Sequence, residues 1–324
     1  MGGEATPGGE EDATGLLWSA PRTFYGVPTG DDLDNLDAQA AFIGVPFDAG
    51  TPQPGNRTGQ SAGPAAARAA SHEQFGYSDG QGSEGWYDVE TGREYLRGVT
   101  MVDLGDVLIQ GADEARNFAR MTAVARRIAS HGALLVAVGG DHSISLPLGR
   151  GVSEVAPVGV VHVDAHADFY DEVDGARFSG ASQLRRLTEL QSVESVSALG
   201  LRNVDRREVE DMEVAGVRWA TTLDLLERPA SDVVDDLVRD DLPLYVSIDL
   251  DVLDPGVVPG TTLPEPGGLS YRELRAVLTE IARRGNVVAV DIAELNPPYD
   301  HAAVTARVAT WTITHFLAAI FDAR

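Results

Sequence analysis

The chain has 324 residues, of which 43% are hydrophobic, so it can bury the core of one large α/β domain or of two smaller ones. Its 50 acidic and 25 basic residues give a formal net charge of −25, which opposes binding to nucleic acid or to an anionic membrane surface. Because it contains no cysteine, disulfides and thiolate metal sites are excluded, and any metal must be held by histidine and carboxylate.

The amino-terminal segment 1–15 is dominated by Gly, Glu, Pro and Thr and is predicted to be a disordered tail. It has no signal-peptide core, and no apolar run in the chain reaches the ~18 residues that a membrane span needs. We therefore expect a cytoplasmic protein that binds neither membranes nor nucleic acid, in which residues 16–324 form one domain.

The first elements after the tail are an apolar strand at 40–45 and a long loop at 50–63, whose Gly, Pro, Asn and Thr content forbids regular structure. A loop of that length at the carboxyl end of a strand tends to be functional. Three elements follow: a short helix at 64–70, a strand at 99–102 and a helix through 129 that Asp113 can cap.

Strands and helices alternate through the rest of the chain. The predicted strands are 134–138, 158–163, 196–201, 217–220, 244–251 and 287–292. The predicted helices are 145–155, 184–190, 206–215, one or two within 223–240, 270–284 and 301–323. Continuous β-branched runs such as 158–163 are typical of strands buried on both faces of a parallel sheet. The fold class is therefore α/β, a three-layer α/β/α domain with a mostly parallel central sheet.

Three of these strands run directly into polar motifs. GGDHS follows one strand at 139–143, DAHAD follows another at 164–168, and a third strand ends in DLDVLDP at 249–255. Ligands in an open α/β sheet collect outside the carboxyl ends of the strands, where all three motifs fall. We therefore expect the motifs to meet in one site.

The DAHAD motif predicts a metal ligand set. If the backbone stays extended, Asp164, His166 and Asp168 project to one side of the strand. Close carboxylates repel one another and need a counter-charge, which a divalent cation supplies. The alternative for this motif alone is a polar strand exit with helix-capping Asp residues.

Six side chains offer nitrogen or carboxylate oxygen across the three motifs: His142, Asp164, His166, Asp168, Asp249 and Asp251. That number exceeds what one catalytic metal with an open position requires, so two metals fit better. A pair about 3.5–4 Å apart holds a bridging water as hydroxide near neutral pH, a nucleophile for hydrolysis. The ligand types favour Mn²⁺ over Zn²⁺ or Cu²⁺, although intrinsic affinities run the other way.

The motifs together resemble a known family. GGDHS at 139–143, DAHAD at 164–168, SIDLDVLDP at 247–255 and DIAELNP at 291–297 are similar to the four signatures of the ureohydrolases. This family includes arginase, agmatinase, guanidinobutyrase and formimidoylglutamase, and the segment 23–37 is similar to the agmatinase branch. The resemblance implies an arginase-like fold, two Mn²⁺ ions per chain, hydrolysis of a linear amidine or guanidino C–N bond, and a homo-oligomer, trimer or hexamer.

The resemblance also implies roles for individual residues. One Mn²⁺ would be bound by His142, Asp164, Asp168 and Asp249, and the other by His166, Asp164, Asp249 and Asp251. Asp168 would also orient the hydroxide, and Asp141 would orient a ligand. Glu294 would pair with the amidine or guanidinium of the substrate in a planar, bidentate contact, the alternative being a helix-entry carboxylate.

Two loops depart from the family pattern. Relatives that act on guanidines carry a His-Gly pair in the loop after DAHAD, whereas this chain reads FSGASQ at 178–183, which is closer to formimidoylglutamase. The loop 50–57 also departs. The candidate substrate contacts in these loops are Ser179, Asn56 and Arg57. His162, beside the DAHAD motif, is either a packed core histidine or a residue that supports Asp164.

Three hypotheses follow. The leading one is an agmatinase-type hydrolase that converts a guanidino compound and water to an amine and urea. The second is hydrolysis of formimidoylglutamate with release of formamide, in which basic residues would bind the substrate carboxylates; the candidates are Arg57, Arg177, Arg185 and Arg186. The third is a catalytically silent, metal-binding partner subunit whose substrate loop has decayed.

Overall fold

A computed structural model describes residues 15–30, 32–51, 57–72, 74, 85–111 and 113–324. The predicted tail lies outside these residues apart from Gly15, and so does the candidate substrate contact Asn56. Both therefore remain predictions.

The described residues form strands and helices close to those predicted. The strands are β1 Leu17–Trp18, β2 Ala40–Val45, β3 Trp86–Asp88, β4 Arg93–Tyr95, β5 Met101–Val107, β6 Leu134–Gly139, β7 Val158–Val163, β8 Val193–Leu201, β9 Arg218–Thr221, β10 Leu244–Asp249 and β11 Val287–Ala293. The helices are α1 Gly63–Ser71, α2 Glu114–Ser130, α3 Ser145–Ser153, α4 Gln183–Thr188, α5 Arg206–Ala215, α6 Thr222–Glu227, α7 Ala230–Leu237, α8 Tyr271–Arg284 and α9 Val304–Ala323.

One sheet organises the molecule, with the spatial order β1-β5-β2-β6-β11-β10-β7-β8-β9. Every pairing is parallel except that of the short edge strand β1 with β5. Strands β3 and β4 form a separate antiparallel hairpin. The residues of β6, β7 and β10 are buried throughout, as a parallel sheet covered on both faces requires. The predicted fold class is confirmed.

Two hydrophobic clusters lie on the two faces of the sheet and define the outer layers. Residues of α1, α7, α8 and α9 contribute to one cluster, for example Ala67, Val233, Leu274 and Ile313. Residues of α2, α3, α4 and α5 contribute to the other, for example Met121, Leu148, Leu184 and Met212. Helix α9, with the turn before it, is long and apolar enough to cross a membrane by length and composition alone, but 61% of its most apolar window is buried inside the protein. Its hydrophobicity is therefore accounted for by core packing.

The predicted helix starts are set by capping side chains. The Asp113 carboxylate accepts the backbone N–H of Arg116 at the start of α2. Ser270 and Glu273 form a reciprocal capping box at the start of α8, as the Ser270 prediction required. Such caps satisfy backbone N–H groups that have no partner within the helix, which fixes where the helix begins.

The strand predicted at 99–102 instead runs from Met101 to Val107, through two aspartates that argue against a strand in the sequence. A buried ion pair explains the difference. The Arg68 guanidinium on α1 lies 2.9 Å from Asp103 and 2.5 Å from Asp106, and its side chain and that of Asp103 are almost fully buried. Arg68 thus neutralises acidic residues within the sheet and ties α1 to β5.

Replacing Arg68 with alanine should destabilise the fold strongly, because the Asp103 carboxylate would stay buried without a partner. We expect Arg68→Ala to lower the free energy of unfolding by about 3–5 kcal/mol, measured by urea unfolding. The matched control is Arg206→Ala, whose side chain is 92% exposed and pairs with Glu210 on the surface of α5. That variant should change the free energy of unfolding by less than ~0.5 kcal/mol, and equal losses for both would contradict the assignment.

Candidate metal and active site

The carboxyl ends of four neighbouring strands, β6, β11, β10 and β7, meet at one edge of the sheet. GGDHS follows β6, DAHAD follows β7, and Asp249 and Asp251 lie at the end of β10. DIAELNP spans the end of β11. Because β11 pairs with both β6 and β10, motifs that are far apart in the sequence become neighbours in space.

His142 lies at the centre of the first group of ligands. Its Nδ1 atom is 3.0 Å from an oxygen of Asp164, 3.1 Å from one of Asp168 and 3.2 Å from one of Asp249. These four residues are the set that the family resemblance implies for one of the two metals. The structure therefore brings all four together without any rearrangement of their side chains.

His166 forms the second group. Its Nδ1 atom lies 3.0 Å from an oxygen of Asp251 and 3.5 Å from the Asp164 oxygen that faces away from His142. The donor atoms of Asp164, His166 and Asp251 lie within 4.8 Å of one another, as a common cation requires. Asp164 therefore contributes one oxygen to each group, which is the bridging position implied for it. Asp249 faces the first group with Oδ2, while its Oδ1 accepts the backbone N–H of Asp251.

The prediction that the DAHAD motif continues as an extended segment is wrong. Strand β7 ends at Val163, and Asp168 has a φ of 49°, in the left-handed region that non-glycine residues rarely adopt. Glu294 also has a positive φ, of 66°. Strained backbone of this kind costs about 1–3 kcal/mol and clusters at functional sites, where the surrounding structure enforces it. The motif residues converge because the chain turns after β7, and alternation along a strand plays no part.

The electrostatics of the two groups favour the binding of a cation. Burial, together with the charges of Asp251 and Asp164, raises the pKa of Asp249 well above its ordinary value. Burial raises the pKa of Asp251 to about 6. Within the described residues, the buried atoms His142 Nδ1 and Asp164 Oδ2 have no hydrogen-bond partner, although both face the centre of the first group. Two nitrogen donors and four carboxylates, with two of their atoms buried and unpartnered, fit divalent cations well.

Glu294 lies beside these groups at the end of β11. Its Oε1 accepts the backbone N–H of His142 at 2.8 Å, and its Oε2 accepts the side-chain amide of Gln60 at 3.1 Å. Gly140 permits the close approach of the segment after β2, because a Cβ there would lie 1.7 Å from the carbonyl oxygen of Phe47. Burial raises the pKa of Glu294. The carboxylate is therefore positioned at the wall of the site by the turn that follows β6 and the turn that precedes α1.

Asp141, predicted to orient a ligand, does so indirectly. One of its oxygens accepts the backbone N–H of Gly50 at 2.6 Å, and the other accepts that of Ser143 at 3.0 Å. It is fully buried, and burial together with the charge of Glu294 raises its pKa to about 7. Asp141 thus fixes the turn that carries His142 and does not line the cavity.

A cavity of about 330 Å³ opens above the ligand groups. Its described lining contains seven acidic residues: Asp168, Asp205, Glu208, Asp249, Asp251, Glu265 and Glu294. It contains neither lysine nor arginine within the part of the chain that the structure describes. The cavity therefore combines the size of a small-molecule site with a strongly negative wall.

Sequence reasoning missed the part of this wall that is formed by Asp205, Glu208 and Glu265. Asp205 and Glu208 form the capping box of α5, and the Tyr170 hydroxyl donates a hydrogen bond to Asp205. Glu265 lies 3.4 Å from Nε2 of His166 and 2.7 Å from the amide of Asn203. The sequence contains a signal for Asp205 and Glu208. Helix α5 begins just after β8, which is the strand beside β7, so the start of this helix must border the site.

Neither Ser179 nor Arg57, both predicted to contact the substrate, belongs to the described lining of the cavity. Ser179 is buried and its hydroxyl faces that of Ser182 at 3.0 Å, so that Gly180 lines the cavity in its place. The Arg57 guanidinium lies over the ring of Tyr299 at 4.5 Å and is not part of the described lining. His162 is fully buried, with Nε2 3.1 Å from Asp164, so it contacts a metal ligand as well as the core.

Comparison with known proteins agrees with this geometry. The model of the arginase family matches residues 38–319. A guanidinobutyrase of Pseudomonas aeruginosa is 32% identical over 296 residues, covering 86% of this chain and 85% of that protein. An agmatinase of Halalkalibacterium halodurans is 29% identical over 226 residues, covering 69% and 77%. Among solved structures, proclavaminate amidino hydrolase from Streptomyces clavuligerus has a TM-score of 0.82 and 27% identity, covering 94% of this chain and 99% of that one.

Replacing Asp249 with asparagine should remove bound metal, because a buried carboxylate that faces His142 loses its charge with little change in shape. We expect metal content, measured by elemental analysis after dialysis, to fall by at least one ion per chain. Asp236→Asn on the exposed surface of α7, where Asp236 pairs with Arg228, should leave metal content unchanged. Full metal content in Asp249→Asn would contradict the ligand assignment.

Metal affinity should depend on pH, because protons and cations compete for the same atoms. Burial lowers the pKa of His142, but the adjacent carboxylates of Asp164, Asp168 and Asp249 outweigh it and raise that pKa, and the pKa of Asp251 is about 6. Both groups are therefore protonated to a greater extent at lower pH. The apparent affinity for Mn²⁺, measured with a competing chelator, should fall from about pH 8 to about pH 6, with protons released on binding. An affinity that is constant over this interval would rule out these ligands.

Proposed function

Because the chain belongs to the arginase family, and is thus a hydrolase of C–N bonds in linear amidines, we propose that it hydrolyses a guanidino compound whose far end is positively charged. The products are an amine and urea, as in the agmatinase reaction. The observation that carries this proposal is the cavity wall. Its described lining has neither lysine nor arginine and has four acidic residues besides the proposed metal ligands: Asp205, Glu208, Glu265 and Glu294. A formal net charge of −25 further favours the approach of a cationic substrate.

The reacting end of the substrate is placed by Glu294. Its carboxylate oxygens each have two acceptor sites, so they can bind a planar guanidinium while holding His142 and Gln60. We propose that the metals are two Mn²⁺ ions, held by His142, Asp164, Asp168 and Asp249 and by His166, Asp164, Asp249 and Asp251. When bound, the ions lower the pKa of water and supply a nucleophile near neutral pH.

The carboxylate of Asp168 both faces His142 and lines the cavity, so it can accept a hydrogen bond from the attacking water and orient it. Attack on the guanidinium carbon leads to cleavage of the C–N bond to the substrate chain. The nitrogen of that chain receives both protons of the water and leaves as an ammonium, and the carbon keeps the water oxygen and leaves as urea. Atoms and charge balance, since guanidinium and water become ammonium and urea.

The far end of the substrate meets Asp205 and Glu208. Glu208 is 4% exposed and already accepts the backbone N–H groups of Phe169 and Asp205, which hold it in place. The Tyr170 hydroxyl fixes Asp205 in the same way. Carboxylates held by the fold before substrate arrives bind an ammonium group with little loss of side-chain entropy.

Hydrolysis of formimidoylglutamate is less well supported, because its carboxylates would meet this acidic wall. The arginines considered for that role are engaged elsewhere. Arg185 pairs with Asp211 at 2.6 Å, Arg186 pairs with Asp171 at 2.8 Å, and Arg177 lies 3.4 Å from Asp171. The Ser-Gly sequence at 179–180 remains the feature that favours this reaction. We keep homo-oligomerisation and a cytoplasmic location as proposals from the sequence.

A substrate panel tests the proposal. The Mn²⁺-loaded protein would be given three guanidines of matched length, 4-aminobutylguanidine, pentylguanidine and 5-guanidinopentanoate, and also N-formimidoylglutamate. We expect urea release, with kcat/KM for the ammonium compound exceeding that for the methyl compound by about 10- to 150-fold, because a charged hydrogen bond is gained. Formamide release from N-formimidoylglutamate alone would favour the alternative. No turnover of any compound would favour a silent metal-binding subunit.

Glu208→Gln provides the matching variant test. It should lower kcat/KM for 4-aminobutylguanidine by about tenfold while leaving that for pentylguanidine unchanged. Glu210→Gln is the control, since Glu210 lies on the same helix but is exposed and pairs with Arg206. An equal loss with both substrates would mean that Glu208 acts on the fold of the site and not on the substrate tail.

A further inference from the structure

A fully buried carboxylate, Asp291 on β11, is not part of the cavity and has no ion-pair partner among the described residues. Burying a carboxylate is costly unless hydrogen bonds compensate for the lost water. Its hydrogen-bond partners in the described structure are the hydroxyls of Tyr245, Ser145 and Ser247. A charge kept in the core at this cost calls for a functional reason.

The three hydroxyls have a defined hydrogen-bond direction. Ser145 and Ser247 lie 3.0 Å and 3.1 Å from the same oxygen of Asp291 and 3.0 Å from each other, while Tyr245 donates to the other oxygen. A carboxylate only accepts, and each hydroxyl has a single proton. Three acceptors lie within reach of the Ser247 hydroxyl: Asp291, Ser145 and a ring nitrogen of His142. A carboxylate is the strongest of the three, so the Ser247 proton is directed to Asp291.

Ser247 also contacts a metal ligand. Its Oγ lies 2.8 Å from Nε2 of His142. Because the Ser247 proton points toward Asp291, Oγ must accept at this contact, and the His142 proton must lie on Nε2. The lone pair of Nδ1 then faces the oxygens of Asp164, Asp168 and Asp249, where a cation would be bound.

We infer that Asp291 and Ser247 are positioning residues that hold His142 in the tautomer and ring orientation needed to bind metal. Without this chain of hydrogen bonds, Ser247 can turn its proton toward Nε2, which transfers the imidazole proton to Nδ1 and blocks the ligand atom. The inference rests on the proposed function only in requiring that the site bind a divalent cation. Neither residue touches the substrate cavity as described.

Ser145 offers a matched control within the same network. Ser145 and Ser247 are both buried, and both donate to Asp291 at nearly equal distance. The backbone N–H of Ser145 bonds to the His142 carbonyl, but of the two hydroxyls only that of Ser247 is hydrogen-bonded to the His142 imidazole. Ser247→Ala and Ser145→Ala should therefore lower the unfolding temperature of the metal-free protein by similar amounts. Their effects on metal affinity should differ.

The test is Mn²⁺ affinity, measured by chelator competition on the full-length protein without substrate. We expect Ser247→Ala to lower the Mn²⁺ affinity of the more strongly affected site by about 10- to 100-fold. Ser145→Ala should lower it by less than about twofold. Asp291→Asn should weaken binding in the native background, by less than Ser247→Ala, and should have no further effect on affinity in Ser247→Ala. Together these variants form a double-mutant cycle, which measures how much of the Asp291 effect on Mn²⁺ affinity passes through Ser247.

Each other outcome overturns the inference. Equal losses of affinity in the two serine variants would show a structural role only, and no loss in either would show none. If Asp291→Asn lowered Mn²⁺ affinity equally in the unaltered protein and in Ser247→Ala, the Asp291 charge would act directly and not through Ser247. If it had no effect on affinity, Asp291 would have no part in positioning His142. If the unaltered protein binds Mn²⁺ but turns over no guanidine, the proposed function fails while this inference is still decided by affinity. If it binds no divalent cation, both fail.

Discussion

Repulsion between buried carboxylates is the constraint around which this protein is built. Asp164, Asp168, Asp249 and Asp251 are placed within a few ångströms of two imidazoles and are largely buried, so water screens their charges only weakly. Such a cluster is stable only if protons or cations neutralise it. The shape of the sheet, the strained backbone at Asp168 and the hydrogen bonds behind His142 all serve to hold these groups together in spite of that repulsion.

The sequence was sufficient to predict the fold class and the meeting of the metal motifs. Buried parallel strands appear as uninterrupted β-branched runs, and carboxyl ends of such strands share one edge, so Asp-His motifs placed there must converge. Helix starts at Asp113 and Ser270 were predictable because capping depends on residues within one turn. Local rules therefore determined the elements, and the parallel topology determined where they meet.

The parts that could not be predicted depend on long-range contacts or on backbone strain. Strand β5 continues through Asp103 only because Arg68, from another element, lies against it. The positive φ of Asp168 has no local sequence signal. The convergence of the motif residues was therefore predicted correctly, but strand alternation is not its cause. Ser179 resembled a substrate contact in the motif, whereas the chain turns its hydroxyl inward and presents Gly180. The acidic wall combines loops that are separated in the sequence.

The position of β11 has a consequence for how the chain folds. This strand is the last to be synthesised, yet it lies between β6 and β10 and joins the half-sheet β5-β2-β6 to the half-sheet β10-β7-β8-β9. Its partners are separated from it by up to about half of the chain, so its insertion closes long loops and is expected to be slow. A nascent chain therefore presents two incomplete halves with exposed edges until β11 has emerged from the ribosome. The second ligand group lies wholly at the ends of β7 and β10, whereas His142 follows β6 on the other half, so the first group is completed only when β11 joins the two halves.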